Sequence, residues 1–183
     1  MNRNDVHGDA ANPDVFKDLD EEALAEFFDA GRQNQIKAGT VLFCQGDPAD
    51  TCYWVKQGRL KLSRVSEDGK EVTIRYISKG EITAVFTVLK KCEYPVTAKA
   101  MAHTRVVGWD QPTFLELMER FPHITVNILS LVLCRLDDIQ DRYTELCTEQ
   151  VEQRIARTLL RFVRTSGIRR SDGICIDIPL SRQ

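Results

Sequence analysis

Leu60-Lys-Leu-Ser-Arg-Val-Ser-Glu-Asp-Gly-Lys-Glu-Val-Thr-Ile-Arg-Tyr-Ile77 carries the architectural signature of this chain. Leu60 and Leu62, then Val72 and Ile74, alternate with polar residues, the period of strands with one buried face. Between them, Asp68-Gly69 is the strongest hairpin signal in the sequence, because a tight inter-strand turn needs the positive φ that glycine supplies freely. An antiparallel pair follows, with Leu60, Leu62, Val72 and Ile74 half-buried.

The same texture of short runs and turn residues spans residues 33–109. Thr40-Val-Leu-Phe-Cys44 precedes a Gln-Gly-Asp-Pro turn at 45–48, and Cys52-Tyr-Trp-Val55 precedes Gln57-Gly58. Residues 95–102 and 105–109 read as two more strands, and 84–89 as one or two helical turns. On the N-terminal side, residues 20–31 form a short amphipathic helix with an acidic first turn and a glycine stop. On the other side Asp110 caps a helix over 111–121, with Pro112 tolerated in its first turn. Pro122 opens a long helix running to about Cys147. Many short strands followed by one long helix predict an α+β chain, a β-sandwich or roll closed by that helix.

Along the long helix Leu129, Val132, Leu136, Ile139, Tyr143 and Leu146 recur at alternating steps of three and four. That is the coiled-coil period, so one face of the helix wants a partner helix, and a homodimer is expected. Residues 149–164 then alternate an apolar face (Val151, Ile155, Leu159, Phe162) with an arginine stripe (Arg154, Arg157, Arg161, Arg164). A short strand is expected over 174–178. Ser181 reads as the N-cap of a helix that does not follow, so the sequence is expected to stop short of a complete final domain.

The 183 residues are 43% hydrophobic and 28% charged, the composition of an ordinary globular protein rather than a disordered one. From Thr148 onward seven arginines face four acids, a balance of +3, which leaves the preceding residues at −5 against the overall −2. A basic tail on an acidic body fits an end that faces nucleic acid. No apolar run approaches the roughly 18 residues of a membrane span, and the polar first residues lack a signal-peptide core, so a cytoplasmic protein without a membrane partner is expected. The six cysteines are scattered, with no Cys-x-x-Cys pair and none in the first 43 residues, which speaks against a clustered metal site. They read as small buried residues; Cys92, in a polar loop, is the best redox candidate. No nucleophile–His–acid set, P-loop or dinucleotide fingerprint is present, so the chain is not expected to be an enzyme.

Three local texts, in this order, resemble the Crp/Fnr family of bacterial transcription regulators. They are Gly39-Thr-Val-Leu-Phe-Cys-Gln-Gly-Asp-Pro48, then Gly58-Arg-Leu-Lys-Leu62 with Asp68-Gly69, then Gln153-Arg-Ile-Ala-Arg-Thr-Leu-Leu160. The resemblance covers roughly residues 14–183. Residues 1–13, before it, read as a flexible leader. The resemblance implies an antiparallel β-roll over 14–121, of the cyclic-nucleotide-binding, double-stranded β-helix type. It further implies a dimerisation helix over 122–147, and over 148–183 the start of a winged-helix DNA-binding domain cut before its helix-turn-helix.

Relatives that bind cyclic AMP hold its phosphate with an Arg-Ser pair, since a phosphate wants a guanidinium fork and a hydroxyl. Those positions fall here on Tyr94 and Pro95, and the adenine-contacting pair on the dimer helix falls on Ile139 and Gln140. The resemblance therefore argues against cyclic AMP and toward the branches that answer nitrate respiration and nitric oxide, some of which use haem. Haem is a candidate cofactor; a cluster on N-terminal cysteines is not expected. The effector is expected to act between roll and long helix, with Gly80, Glu81, Thr83, Tyr94, Thr97, Ile139 and Gln140 as its candidate contacts.

Glu81 has a second reading as a cap of the short helix, and Tyr94 as a packed strand start. His7, His103 and His123 read as surface or packed residues before they read as axial ligands. Arg154, Arg169 and Arg170, the last two in a loop, are the candidate DNA-phosphate contacts; the other arginines read as a solvated face. Two rival functions remain open on sequence alone: a cyclic-nucleotide module of a larger signalling protein, and a homodimeric interaction protein with a non-functional pocket.

Overall fold

The computed structural model describes residues 14–170 and 173–176. The expectations for residues 1–13, His7, and Ser181 with its flanking residues lie outside them. The chain divides into two compact units with the boundary inside the long helix, at Ile128 and Leu129.

The first unit opens with α1 (Glu21–Asp29), whose Asp20 side chain accepts the Ala23 amide at 2.8 Å and so satisfies one of the unpaired N–H groups of the first turn. Eight strands follow: β1 (Arg32–Ile36), β2 (Val41–Phe43), β3 (Thr51–Gln57), β4 (Arg59–Val65), β5 (Glu71–Ser78), β6 (Ile82–Thr83), β7 (Thr97–Ala100) and β8 (Thr104–Asp110). Between β6 and β7 lies α2 (Val85–Lys90); after β8 come α3 (Gln111–Arg120) and α4 (Pro122–Thr148).

The strands form two antiparallel four-stranded sheets, ordered β1-β8-β3-β6 and β2-β7-β4-β5. Their inward side chains make one core, with Val55 and Val106 from the first sheet against Leu60, Leu62, Ile77 and Ala98 from the second. This is the expected α+β roll, with the long helix after it. β8 is buried on both faces. Val106 enters the roll core, while Trp109 packs outward against Phe27 of α1 and Phe114 of α3, its Nε1 donating to the Phe27 carbonyl at 2.8 Å. Gly31 is required where α1 meets this strand, because a Cβ there would stand 2.4 Å from Val107 Cγ1.

The β4–β5 hairpin forms as expected. Ser66 N donates to Lys70 O at 2.9 Å, and Gly69 takes φ +77° at the tip. Burial along β5 departs from the alternation, however, since Val72 and Ile74 are exposed. Leu62 pairs with Arg75 but Ser63 pairs with Thr73, so Ile74 is the extra residue of a bulge. The bulge breaks the period on β5, the edge strand of its sheet among the described residues.

The second unit begins with the remainder of α4. It continues with α5 (Val151–Ser166) and an antiparallel pair, β9 (Gly167–Arg170) with β10 (Gly173–Ile176). Arg157 Nε meets Glu149 at 2.6 Å, and Arg161 is bonded to Glu145 of α4. Arg169 and Arg170 stand on a strand rather than in a loop, because Ile174 and Gly173 offer them backbone partners. Among the described residues no single helix is long and apolar enough to cross a membrane.

Candidate effector site

Two clusters of polar and aromatic groups gather most of the expected site residues of the roll. The first is the turn between β5 and β6. Gly80, at φ +88°, donates its amide to Val55 O at 2.8 Å, and Val55 N returns a bond to Glu81 O at 3.0 Å, so the turn extends the β3 ladder. The Glu81 carboxylate faces back along β5: one oxygen accepts from Arg75 at 2.5 Å, the other from the Ser78 amide at 2.5 Å. Glu81 therefore does not cap α2. The cap position is Ala84, which has no side-chain bond and holds a left-handed backbone at φ +65°. Thr83 is buried opposite Tyr53.

The second cluster surrounds the 44–47 turn. Tyr94 is buried at 4% exposure, its ring stacked on Phe43 at 4.0 Å between centroids. Its hydroxyl donates to Thr51 O at 2.7 Å and accepts from Thr51 N at 3.2 Å. Burial pushes the Tyr94 phenol up from its ordinary pKa, and does the same to Tyr53 and to the fully buried Cys52 thiol. Gly46 N donates to Tyr94 O at 2.9 Å, and Gln45 N to Thr97 Oγ1 at 3.0 Å. Tyr94 and Thr97 thus brace one turn.

Beside this turn lies an open groove of about 960 Å³, walled by Pro48, Arg64, Lys91, Cys92, Tyr94 and Pro112, among others. Of the expected effector residues, Tyr94 alone lines it. Sequence reasoning passed over Arg64 and Arg75, because an arginine on an alternating strand reads as its solvent face. Ile139 and Gln140 are exposed on α4 in the second unit, as are the seam residues Leu129, Leu136, Tyr143 and Leu146; Val132 is half-buried. His103 and His123 are exposed, and all six cysteines are free thiols. On α5, Arg154 sits among Val151, Ile155, Thr158 and Leu159.

Residues 33–121 match the family described as cyclic nucleotide-binding domain. The global nitrogen regulator of Synechococcus elongatus is 31% identical over 152 residues, which cover 81% of this chain and 68% of that protein. The chain belongs to the Crp/Fnr family of transcription regulators. The crystal structure of the Thermus thermophilus catabolite activator protein shares this Crp/Fnr fold, with a TM-score of 0.69 and 25% identity over 82% of this chain and 70% of that one. Lysophospholipase nte1 of Aspergillus terreus is 30% identical over 108 residues, yet these are 59% of this chain and only 7% of the enzyme. That likeness is confined to the cyclic-nucleotide-type domain that Crp/Fnr proteins also carry.

Proposed function

We propose that this chain is the sensing and dimerising portion of a cytoplasmic Crp/Fnr-type regulator that binds DNA and answers a small effector, or a redox or gas signal, other than cyclic AMP. The observation that carries this reading is the state of Tyr94 and Pro95, the positions where cyclic-AMP-binding relatives place their phosphate ligands. Tyr94 spends its hydroxyl on both backbone groups of Thr51, and Pro95 has neither an N–H nor a polar side chain. Neither offers a phosphate a charge or a free donor.

The remaining parts fit a regulator. The exposed apolar row Leu129, Leu136, Ile139, Tyr143 and Leu146 supports a homodimer through α4, since such a row is costly to leave in water. Exposed Val126 and Leu133 widen it. α5 with the β9–β10 hairpin supports a winged-helix start, with Arg154, Arg169 and Arg170 as phosphate contacts. Gly80, Glu81, Thr83, Tyr94 and Thr97 remain the proposed effector set, and haem remains a candidate cofactor. Effector binding shifts a two-state equilibrium of the helix pair, which repositions two DNA-reading heads.

Titration calorimetry with cyclic AMP tests the central point. No heat of binding at micromolar ligand is expected, and a micromolar or tighter constant overturns the reading. A second reading, a homodimer with a non-functional pocket, is favoured by the packed roll core. A thermal-shift screen with haem, nucleotides and 2-oxo acids separates the two, because only a sensing protein is stabilised by one of them.

A further inference from the structure

Residues 14–19 run across the outside of the first unit as a turn with no place in either sheet. Asp14 holds the turn together: its Oδ1 accepts the Phe16 amide at 2.9 Å and its carbonyl accepts the Lys17 amide at 3.2 Å. Asp18 takes a left-handed backbone at φ +67°, a conformation that a non-glycine residue adopts at a cost. Yet Val15 and Phe16 are buried. The Phe16 ring sits in a box of four others, 5.2 Å from Phe27, 5.0 Å from Phe28, 5.9 Å from Trp54 and 6.4 Å from Trp109.

Among the described residues, one side chain ties this segment to the rest of the unit by hydrogen bonds. Asn127, in the second turn of α4, donates its Nδ2 to Val15 O at 3.0 Å and to Lys17 O at 2.7 Å. Both amide hydrogens are thereby used on one strand of backbone. The box also carries a standing penalty, since the Trp54 Nε1 is buried without a partner among the described residues.

We propose that residues 14–19 form a latch, with Phe16 as its bolt and Asn127 of α4 as its catch, and that it opens as a unit without unfolding the roll. The segment meets the physical conditions for a local opening: few ladder bonds, one strained residue, and contacts concentrated in Val15, the Phe16 ring and the Asn127 amide. When it opens, α4 loses a two-point tether at its second turn. The latch is therefore a control point on the helix that bears the exposed apolar row, independent of what occupies the effector site.

Native-state hydrogen exchange on the whole chain tests this, with Asn127→Ala and Asn127→Asp as variants. Neither variant can donate to the two carbonyls. The expected result is exchange about tenfold faster at the Phe16 and Leu19 amides, with the core amides of Val55 and Val106 unchanged. The tryptophan emission, which comes from Trp54 and Trp109 alone, shifts to the red in parallel. Unchanged exchange at Phe16 and Leu19 overturns the proposal. So does an equal acceleration at Val55 and Val106, which makes the segment part of the global core. Phe16→Leu supplies an independent check: it keeps both Asn127 bonds but loosens the box, so it too must speed the segment without touching the core.

Discussion

The hydroxyl of Tyr94 donates to the carbonyl of Thr51 at 2.7 Å and accepts from its amide at 3.2 Å. One side chain thus closes the β3 edge while its ring lies on Phe43. Tyr94→Phe keeps the stack and loses both bonds, leaving two backbone groups without their partner. Urea denaturation should show a loss of about 1–3 kcal/mol, with an unchanged slope. A change near zero would mean that water replaces the hydroxyl.

Alkaline pH should destabilise the protein, in two stages. Burial raises the Cys52 thiol and the Tyr94 and Tyr53 phenols, so the folded state holds these protons more tightly than the unfolded chain. Their contribution is whole below the unfolded values, about 8.5 for a thiol and about 10 for a phenol, and is lost as pH rises above them. Thermal melts should therefore fall from about pH 8.5 and more steeply from about pH 10. Cys52→Ala should delay the onset to the second stage.

The Arg75–Glu81 pair should be worth more than a surface ion pair, since both side chains are largely covered and the second Glu81 oxygen holds the Ser78 amide. Glu81→Ala is expected to cost about 1–3 kcal/mol. In a double-mutant cycle with Arg75→Ala the coupling should be about 1 kcal/mol. Additive single-mutant effects would show that the pair is decorative.

α2 is held between two left-handed non-glycine residues, Ala84 at φ +65° and Lys91 at φ +52°. Glycine relieves that backbone strain, so Ala84→Gly and Lys91→Gly should each stabilise by about 0.5–1 kcal/mol. Ala25→Gly inside α1 should do the reverse by about 1 kcal/mol. Destabilisation by Ala84→Gly would show that its methyl contacts with the core outweigh the strain.

The proposed dimer rests on an apolar row that is exposed among the described residues. Leu136→Glu places a charge in the middle of that row. Sedimentation at micromolar concentration should give a dimer for the native chain and a monomer for the variant. A native monomer would remove the α4 seam from the reading.

Much of the roll was legible because its signals are local. Asp68-Gly69 marked the hairpin and Asp110 marked a helix start, which it caps as expected through the Thr113 amide at 3.0 Å; the cap that Asp20 gives α1 is a further finding of the structure. Legibility ended where one residue depends on a distant neighbour. Val72 and Ile74 carry the alternation of a half-buried strand, but the bulge at Ile74 interrupts that period and both are exposed on the edge strand. Glu81 was readable as a polar residue in a turn, while its partner Arg75 was not, because the pairing requires the turn to aim the carboxylate back along β5. The Gly-Ile-Arg-Arg text of β9 reads as a loop, because it has no strand period and takes its form from pairing with β10.

The order of elements, the hairpin tip, the helix caps and the three-and-four repeat of α4 all follow from residues within a few positions of one another. Backbone propensity, side-chain period and turn chemistry act at that range, so the text alone specified them. Tyr94 lies 43 residues from Thr51, and Asn127 lies 112 from Val15. Those pairings exist because burial brings their backbones together, and a buried polar group must then find whichever partner the packing presents. The bonds of Tyr94 to Thr51 and of Asn127 to Val15 and Lys17 are consequences of that packing, and no local pattern announces either.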